Sequence, residues 1–219
     1  PFMALAIFDL DNTLLGGDSD HAWGEFACAK GLVDGADFGA RNDAFYADYQ
    51  AGQLDIHAYL RHALAPLIGQ SLETITEWHR EFMRTYIEPM ILDSALVLVD
   101  RHRQQGDQLL IVTATNRYIA EPIARRYGIE DLIASEGEIL EGCYTGEAAG
   151  IPSYGAGKVI RVQEWMQDRD LTLEGSYFYS DSHNDIPLMS EVDTAIAVDP
   201  DEKLRQHAQT MDWPVISLR

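Results

Sequence analysis

The chain has 219 residues, of which 46% are hydrophobic and 24% charged, and its 16 Lys and Arg against 36 Asp and Glu give a formal net charge of −20. This composition is typical of a globular protein with one large domain, or with a core domain that carries an inserted smaller one. The acidic balance argues against nucleic acid or an anionic membrane as a partner, because the chain has no basic face to offer.

The sequence also predicts a reducing, cytoplasmic location. No apolar run approaches the roughly 20 residues that span a bilayer, and no signal peptide is recognisable. Cys28 and Cys143 lie far apart and form no metal-ligand spacing, so we expect both to be buried thiols.

Short apolar segments alternate with helical patterns over most of the chain. The predicted strands cover residues 4–9, 108–113, 176–180, 194–198 and 215–218. The predicted helices between them cover about residues 95–105, 118–127, 158–168 and 203–209. This alternation predicts βαβ units and a parallel sheet. Residues 135–147, SEGEILEGCYTGE, alternate polar and apolar side chains with glycines and predict a β-hairpin.

The interval between residues 18 and 88 has no strand pattern and predicts four helices instead. The third is the clearest, because its apolar residues from Ile56 to Leu67 follow i, i+3, i+4 spacing. The sequence therefore predicts a helical bundle inserted after the first strand. We assign residues 1–15 and 90–219 to an α/β core and residues 16–89 to the bundle, with Gly16 and Gly17 as a candidate hinge.

The first strand runs into two carboxylates, in the segment LAIFDLDNTLL. Asp9 and Asp11 are two residues apart, so in an extended backbone both project from the same face. Ligands of open α/β sheets bind beyond the carboxyl ends of the strands. Two like charges held together need a cation, and oxygen ligands favour Mg²⁺. A turn in which Asp and Asn cap backbone groups is the alternative interpretation.

Three later segments place polar groups at similar points. In LLIVTATNR, the hydroxyl of Thr113 ends a strand and can bind a phosphate oxygen, although Thr and Asn are also ordinary helix N-caps. Lys158 opens a helix, where it is either aimed at an anion or a solvated surface residue. In YFYSDSHNDIPLM, a strand delivers Asp181, and His183 is a candidate acid or base or an exposed turn residue. Along the chain, an acid pair, a hydroxyl, a lysine and a second acid pair all come at strand ends of one predicted sheet. This order indicates a single phosphate site.

Taken together, the motifs DLDNTLL, IVTAT, Lys158 and SDSHNDIPLM resemble the haloacid dehalogenase superfamily, in its phosphoserine-phosphatase-like branch, subfamily IB. The four motifs occur in the family's order and cover essentially the whole chain, and the inserted bundle is similar to a C1-type cap. The resemblance implies an α/β fold with a doubly wound, Rossmann-like parallel sheet. It also implies a phosphatase that requires Mg²⁺ and forms a phosphoaspartate.

The resemblance assigns roles to individual residues. Asp9 would be the nucleophile, and Asp11 would protonate the leaving alcohol and then activate water. The implied magnesium site involves Asp9, Asp11 through its backbone carbonyl, and Asp181. Asp185 is assigned to the same site because it would orient Lys158 or metal-bound water. The implied phosphate contacts come from Thr113, the amide of Ala114 and Lys158, and Asn184 would contact phosphate or second-shell water.

The substrate is less sharply indicated. Asp18 matches a family acid that holds the substrate ammonium, and Arg61, in GQLDIHAYLR, matches a cap arginine. The TAT sequence and the fourth motif are similar to bacterial phosphatases of which some are assigned to histidinol phosphate. We therefore expect a small, amine-bearing phosphate ester, such as phosphoserine or histidinol phosphate, as the partner of a monomer or homodimer.

Two alternatives to a phosphatase remain open from the sequence. A receiver-like signalling module also uses acids, a Thr and a Lys on a doubly wound sheet. That class phosphorylates an Asp at a later strand and has no use for a cap. A non-hydrolytic phosphate-binding or phosphotransfer protein would keep the fold, but Asp11 serves a second, hydrolytic step and argues against it.

Overall fold

A computed structural model describes residues 3–219 and contains a seven-stranded sheet in the order β4-β3-β2-β1-β5-β6-β7. All neighbouring strands are parallel except β3 and β4, which are antiparallel. This arrangement confirms the predicted α/β fold class. The strands are β1 (Leu5–Phe8), β2 (Gln108–Asn116), β3 (Asp131–Leu140), β4 (Cys143–Ala149), β5 (Tyr177–Ser180), β6 (Thr194–Val198) and β7 (Val215–Ile216).

Nine α-helices are found within residues 3–219, and four of them follow β1 directly. We call α1–α4 the cap helices. The helices are α1 (Ser19–Ala29), α2 (Gly35–Ala51), α3 (Ile56–Leu64), α4 (Leu72–Phe82), α5 (Asp93–Gln105), α6 (Arg117–Arg126), α7 (Ala156–Gln167), α8 (Ile186–Met189) and α9 (Glu202–Met211). In this part of the chain none of them combines the length and apolar character that a membrane crossing requires.

The sheet is buried on both faces. Ala6 and Phe8 belong to one apolar cluster, whereas Leu5 and Ile7 belong to a second one. This division follows from the strand period of two, which sends successive side chains to opposite faces. Parallel strands covered on both sides are apolar throughout, which is why the continuous runs in β1 and β2 were recognisable from the sequence.

The two ends of the helical insertion lie side by side on the core. Leu15 and Ile91 form an isolated antiparallel bridge, and the Gly16 N–H donates to the Met90 carbonyl at 2.8 Å. Within the cap helices, the Trp23 indole N–H donates to the Ala63 carbonyl at 3.0 Å. The exact division into residues 1–15 with 90–219 and residues 16–89 stays a prediction.

Two details differ from the sequence-based expectations. The hairpin is present, but β3 begins at Asp131, and its first residues pair in parallel with β2 before Glu136 turns to antiparallel pairing with β4. The sequence did not indicate the parallel part of β3, because only three apolar residues follow Asp131 there, too few to suggest a core strand. Cys28 and Cys143 are free thiols, half-buried rather than buried.

Candidate active site

The strand register brings the predicted motifs to one edge of the sheet. β1 lies between β2 and β5, and Phe8 is level with Ile111 on one side and with Tyr179 on the other. The Asp9 N–H continues the ladder by donating to the Tyr179 carbonyl at 2.9 Å. The carboxyl ends of the three central strands therefore open into the same cleft, as in other parallel sheets.

Lys158 joins two of the predicted acids beneath this cleft. Its Nζ lies 3.0 Å from Asp9 Oδ1 and 2.8 Å from Asp185 Oδ1, and its side chain is only 2% exposed. The Ser180 hydroxyl donates to Asp185 at 2.7 Å and fixes that carboxylate further. Burial acts to lower the pKa of Lys158, but Asp185 and Asp9 outweigh it and raise the pKa above its usual value. Lys158 is thus a buried charge held by acids, not a surface lysine.

Asp11 is oriented by two hydrogen bonds. Its Oδ1 accepts from the Ser19 N–H at 2.6 Å, and its Oδ2 accepts from the Thr115 hydroxyl at 2.7 Å. Burial, with a smaller contribution from Asp18, raises the pKa of Asp11 to about 7. The amino end of α1 and the end of β2 therefore cooperate in holding this carboxyl group at the cleft.

Thr113 and Ala114 both line the cleft, as the second motif implied. Thr113 is not the last residue of its strand, however, because β2 continues to Asn116. Asn116 then accepts a hydrogen bond from the Ile119 N–H at 3.2 Å and caps α6. The Thr113 hydroxyl accepts a hydrogen bond from the Thr115 N–H at 3.2 Å, where the pairing of β2 with β3 is irregular.

The residues present fit a magnesium ion. Asp181 is half-buried beside Asp9 and Asp185, and desolvation first, then these two charges, raise its pKa well above the usual range. Two carboxylates that repel each other in this way are a natural cation site, and Mg²⁺ often takes only one or two carboxylates.

Two of the four acids assigned to the metal site have carboxylates that bind other protein groups. Asp185 is bound to Lys158 and Ser180, and the Asp11 carboxylate is bound to Ser19 and Thr115. Over residues 3–219, no group of three or more acidic, His or Cys side chains has an arrangement that could hold a metal ion. An ion here would therefore rest on Asp9 and Asp181, with backbone and water oxygens as its other ligands.

Asn184, predicted to contact phosphate or second-shell water, binds the end of a cap helix. Its amide N–H donates to the Tyr49 carbonyl at 3.0 Å, and its carbonyl accepts from the Tyr154 hydroxyl at 3.2 Å. His183, next to it, is half-buried rather than exposed, and its Nδ1 lies 2.7 Å from Asp201. The loop after β5 thus binds and supports the carboxyl end of α2.

Of the two residues predicted to recognise the substrate, only Asp18 reaches the cleft. Asp18 caps α1 by accepting from the His21 N–H at 2.8 Å, and burial and Asp20 raise its pKa to about 7. Arg61 is half exposed and lies 3.5 Å from Glu147, away from the cleft. The reason is helix rotation, since residues two apart differ by about 200° and Tyr59 takes the inward direction.

The sequence did not predict the opposite side of the cleft. Aromatic residues from α2 and α3 form it, and Asp20, from the first turn of α1, lies beside them. The space between the two sides, its mouth included, is about 420 Å³. We call the aromatic and aliphatic residues of this side the cap wall, and they are Phe45, Tyr46, Tyr49, Leu54 and Tyr59.

Comparisons with known proteins agree with this architecture. The sequence model of the haloacid dehalogenase-like hydrolases matches residues 6–190. A histidinol-phosphatase of Neisseria meningitidis serogroup C is 45% identical over 98% of this chain and 99% of its own length. A phosphoserine phosphatase of Mycobacterium tuberculosis is 32% identical over 99% of this chain and 71% of its own.

Solved structures show the same fold. A Bordetella pertussis protein of unknown function superimposes with a TM-score of 0.93, at 41% identity and with 100% of both chains covered. A substrate-bound phosphoserine phosphatase gives a TM-score of 0.73 at 15% identity, over 100% of this chain and 94% of its own. The predicted family and the predicted enzyme class are confirmed. The chain belongs to the haloacid dehalogenase-like hydrolases.

Proposed function

We propose that this enzyme hydrolyses a small, cationic phosphomonoester, histidinol phosphate in the first place, through a phosphoaspartate on Asp9. The observation that carries the reaction is the joint placement of Asp9, Asp11 and Lys158 at one strand end. Asp9 is 4% exposed, and Lys158 is within 3.0 Å of it. A fixed cation beside a fixed carboxylate suits phosphoryl transfer, where positioning and charge neutralisation lower the barrier.

The two acids divide the chemistry between them. An Asp9 carboxylate oxygen attacks phosphorus as the bond to the alcohol oxygen breaks, and Asp11 gives its proton to that leaving oxygen. Water then attacks the phosphoaspartate, Asp11 accepts a proton from it, and the bond between Asp9 and phosphorus breaks. One group can act first as acid and then as base because the two displacements are mirror images.

A magnesium ion is part of this proposal. Asp9, Asp181 and the Asp11 carbonyl would hold it, and when bound it would neutralise phosphate charge. Thr113 and the Ala114 amide would contact the phosphoryl oxygens, since both line the cleft.

The cleft supports a cationic substrate. Four carboxylates line it, and within residues 3–219 no Lys or Arg does. A substrate carboxylate would be repelled here, whereas an ammonium group would be attracted. Phosphoserine carries such a carboxylate and histidinol phosphate does not. The name of the Neisseria relative, which is similar along nearly its whole length, agrees with this choice.

Membership of a hydrolase family leaves little support for a receiver-like or non-hydrolytic protein. We also propose that the enzyme works without nucleic acid or membrane partners and as a monomer or homodimer. The net charge of −20 supports the first part of this proposal.

Phosphate release with and without Mg²⁺ tests the function. The panel is histidinol phosphate, phosphoserine, phosphoethanolamine, phosphocholine and a sugar phosphate. We expect histidinol phosphate to give the highest kcat/KM, phosphoserine to be much poorer, and a chelator to abolish turnover until Mg²⁺ is restored. Preference for phosphoserine would contradict the substrate, and metal-independent release would contradict the site. Binding without release would favour the non-hydrolytic alternative.

A further inference from the structure

Asp20 is a buried acid that the reaction described above does not use. It lies in the first turn of α1, is 5% exposed and lines the same cleft as Asp9 and Asp11. Its Oδ1 is buried and has no hydrogen-bond partner within residues 3–219. A buried carboxylate oxygen without a partner is costly, and such atoms in native proteins usually await a ligand, a water or an ion.

The neighbouring acids do not have the same freedom. Both oxygens of Asp11 accept hydrogen bonds from protein groups, and Asp18 Oδ1 caps the amino end of α1. Asp20 therefore differs from Asp11 and Asp18, because one of its oxygens is buried and accepts no hydrogen bond within residues 3–219.

The surroundings of Asp20 select the shape of its partner. Tyr59 lies beside it, and burial together with the Asp20 and Asp18 charges raises the pKa of Tyr59. Phe45 packs against Tyr59, with 5.4 Å between ring centroids and 56° between the planes. An acid in a cleft lined by two aromatic rings suits a flat, cationic ring with an N–H group. The carboxylate can accept a hydrogen bond from that N–H, and the aromatic rings can contact the flat ring.

We propose that Asp20 is a specificity-determining residue. Its free carboxylate oxygen accepts a hydrogen bond from the ring N–H of a substrate that is the phosphate ester of a heteroaromatic amino alcohol. The inference rests on the proposed function and deepens it, because it assigns the imidazole end of the substrate to Asp20 and leaves its ammonium group to Asp18. The reaction itself stays with the groups at the strand ends.

Binding of the alcohol product tests the assignment without any turnover. Histidinol and phenylalaninol share the amino alcohol and differ in the ring N–H. In calorimetric titrations with inorganic phosphate and Mg²⁺ present, we expect histidinol to bind the wild type about 10- to 100-fold more tightly than phenylalaninol. In Asp20→Asn this preference should fall to within about threefold, and Asp20→Glu should restore part of it. Equal binding of the two alcohols to the wild type would overturn the assignment.

Asp43→Asn is the matched control, because Asp43 is a cap-helix acid with a 77% exposed side chain. It removes one charge outside the cleft and should keep the full preference. Loss of preference in both variants would point to general charge and overturn the role of Asp20. Thermal melts verify that the variants fold, and the wild-type comparison of the two alcohols stands if Asp20→Asn does not. A wild type that prefers histidinol but releases no phosphate would refute the proposed function and leave the Asp20 assignment standing.

Discussion

The two sides of the cleft differ in how fully their polar groups are already bound. On the core side, Lys158 links Asp9 and Asp185, and Asp11 accepts two hydrogen bonds. On the cap side, aromatic rings surround Asp20, whose Oδ1 has no partner in the described part of the chain. Side chains fixed by hydrogen bonds suit a reaction that depends on geometry, while polar groups without a hydrogen-bond partner suit recognition of a variable substrate. Under the proposed function, the reaction and the choice of substrate therefore belong to different sides of the cleft.

Replacing the nucleophile should have the largest effect. Asp9→Asn keeps the side-chain shape but removes the attacking charge, so we expect kcat to fall at least about 10⁴-fold. Phosphate release measures this, and circular dichroism should show an unchanged fold. Asp43→Asn, the exposed acid of α2, is the control and should retain full activity. Hydrolysis by Asp9→Asn at a comparable rate would refute the assigned nucleophile.

A histidine behind the cap wall should make this side sensitive to acid. The His62 ring stacks on the Phe38 ring with 3.8 Å between centroids, and its centroid lies 5.1 Å from that of the Phe45 ring. Burial, and then Arg41 against an opposing Asp37, lowers the pKa of His62 from 6.5 to about 4. Between these values the unfolded chain binds a proton that the folded chain does not, so stability falls as pH falls from 6.5 to 4.

His62→Phe should remove this part of the pH dependence, worth up to about 3 kcal/mol. Urea unfolding at pH 7, 5.5 and 4.5 gives the free energy of unfolding for wild type and variant, and only their difference matters, because many acids also titrate. His57→Phe, at an exposed position on the same helix, is the control. An identical change in both variants would show that His62 has no special role.

The smallest predicted effect comes from disturbing the contact between Gly52, at the carboxyl end of α2, and His183 of the core. Gly52 has φ of 75°, and a Cβ there would lie 2.6 Å from His183 Nε2. Gly31 ends α1 with φ of 73° and open space around it. We expect Gly31→Ala to cost about 1 kcal/mol, and Gly52→Ala about 1 kcal/mol more, with KM raised about fivefold. Equal stability and equal KM in the two variants would show that His183 does not support the cap helices.

The sequence was most informative where chemistry and burial coincide. β1, β2 and β5 are continuous apolar runs that end in polar residues, so both the sheet and its reactive edge could be predicted. Asp9, Thr113 and Asp181 follow from this pattern because parallel strands end together. Lys158 needed the family resemblance, since nothing in its neighbourhood distinguishes it from a surface lysine.

What could not be predicted depends on tertiary placement. Helical periodicity shows that α3 has an apolar face but not that Tyr59, rather than Arg61, faces the cleft. Asp20 looks like one more capping residue in the DSD segment, and only the fold shows that its oxygen is buried. The Asn184 amide donates a hydrogen bond to the carbonyl of Tyr49, and the sequence could not show this contact because the two residues are 135 positions apart.

The bridge between Leu15 and Ile91 places the start and the end of the helical insertion side by side. Because the cost of closing a loop grows only slowly with its length, insertions of very different size can begin and end there without disturbing the pairing of β1. A chimaera that exchanges residues 16–90 for another helical segment should therefore retain the sheet and its reactive edge. In evolution, the same junction would let one hydrolytic sheet acquire new substrates by exchange of a single piece.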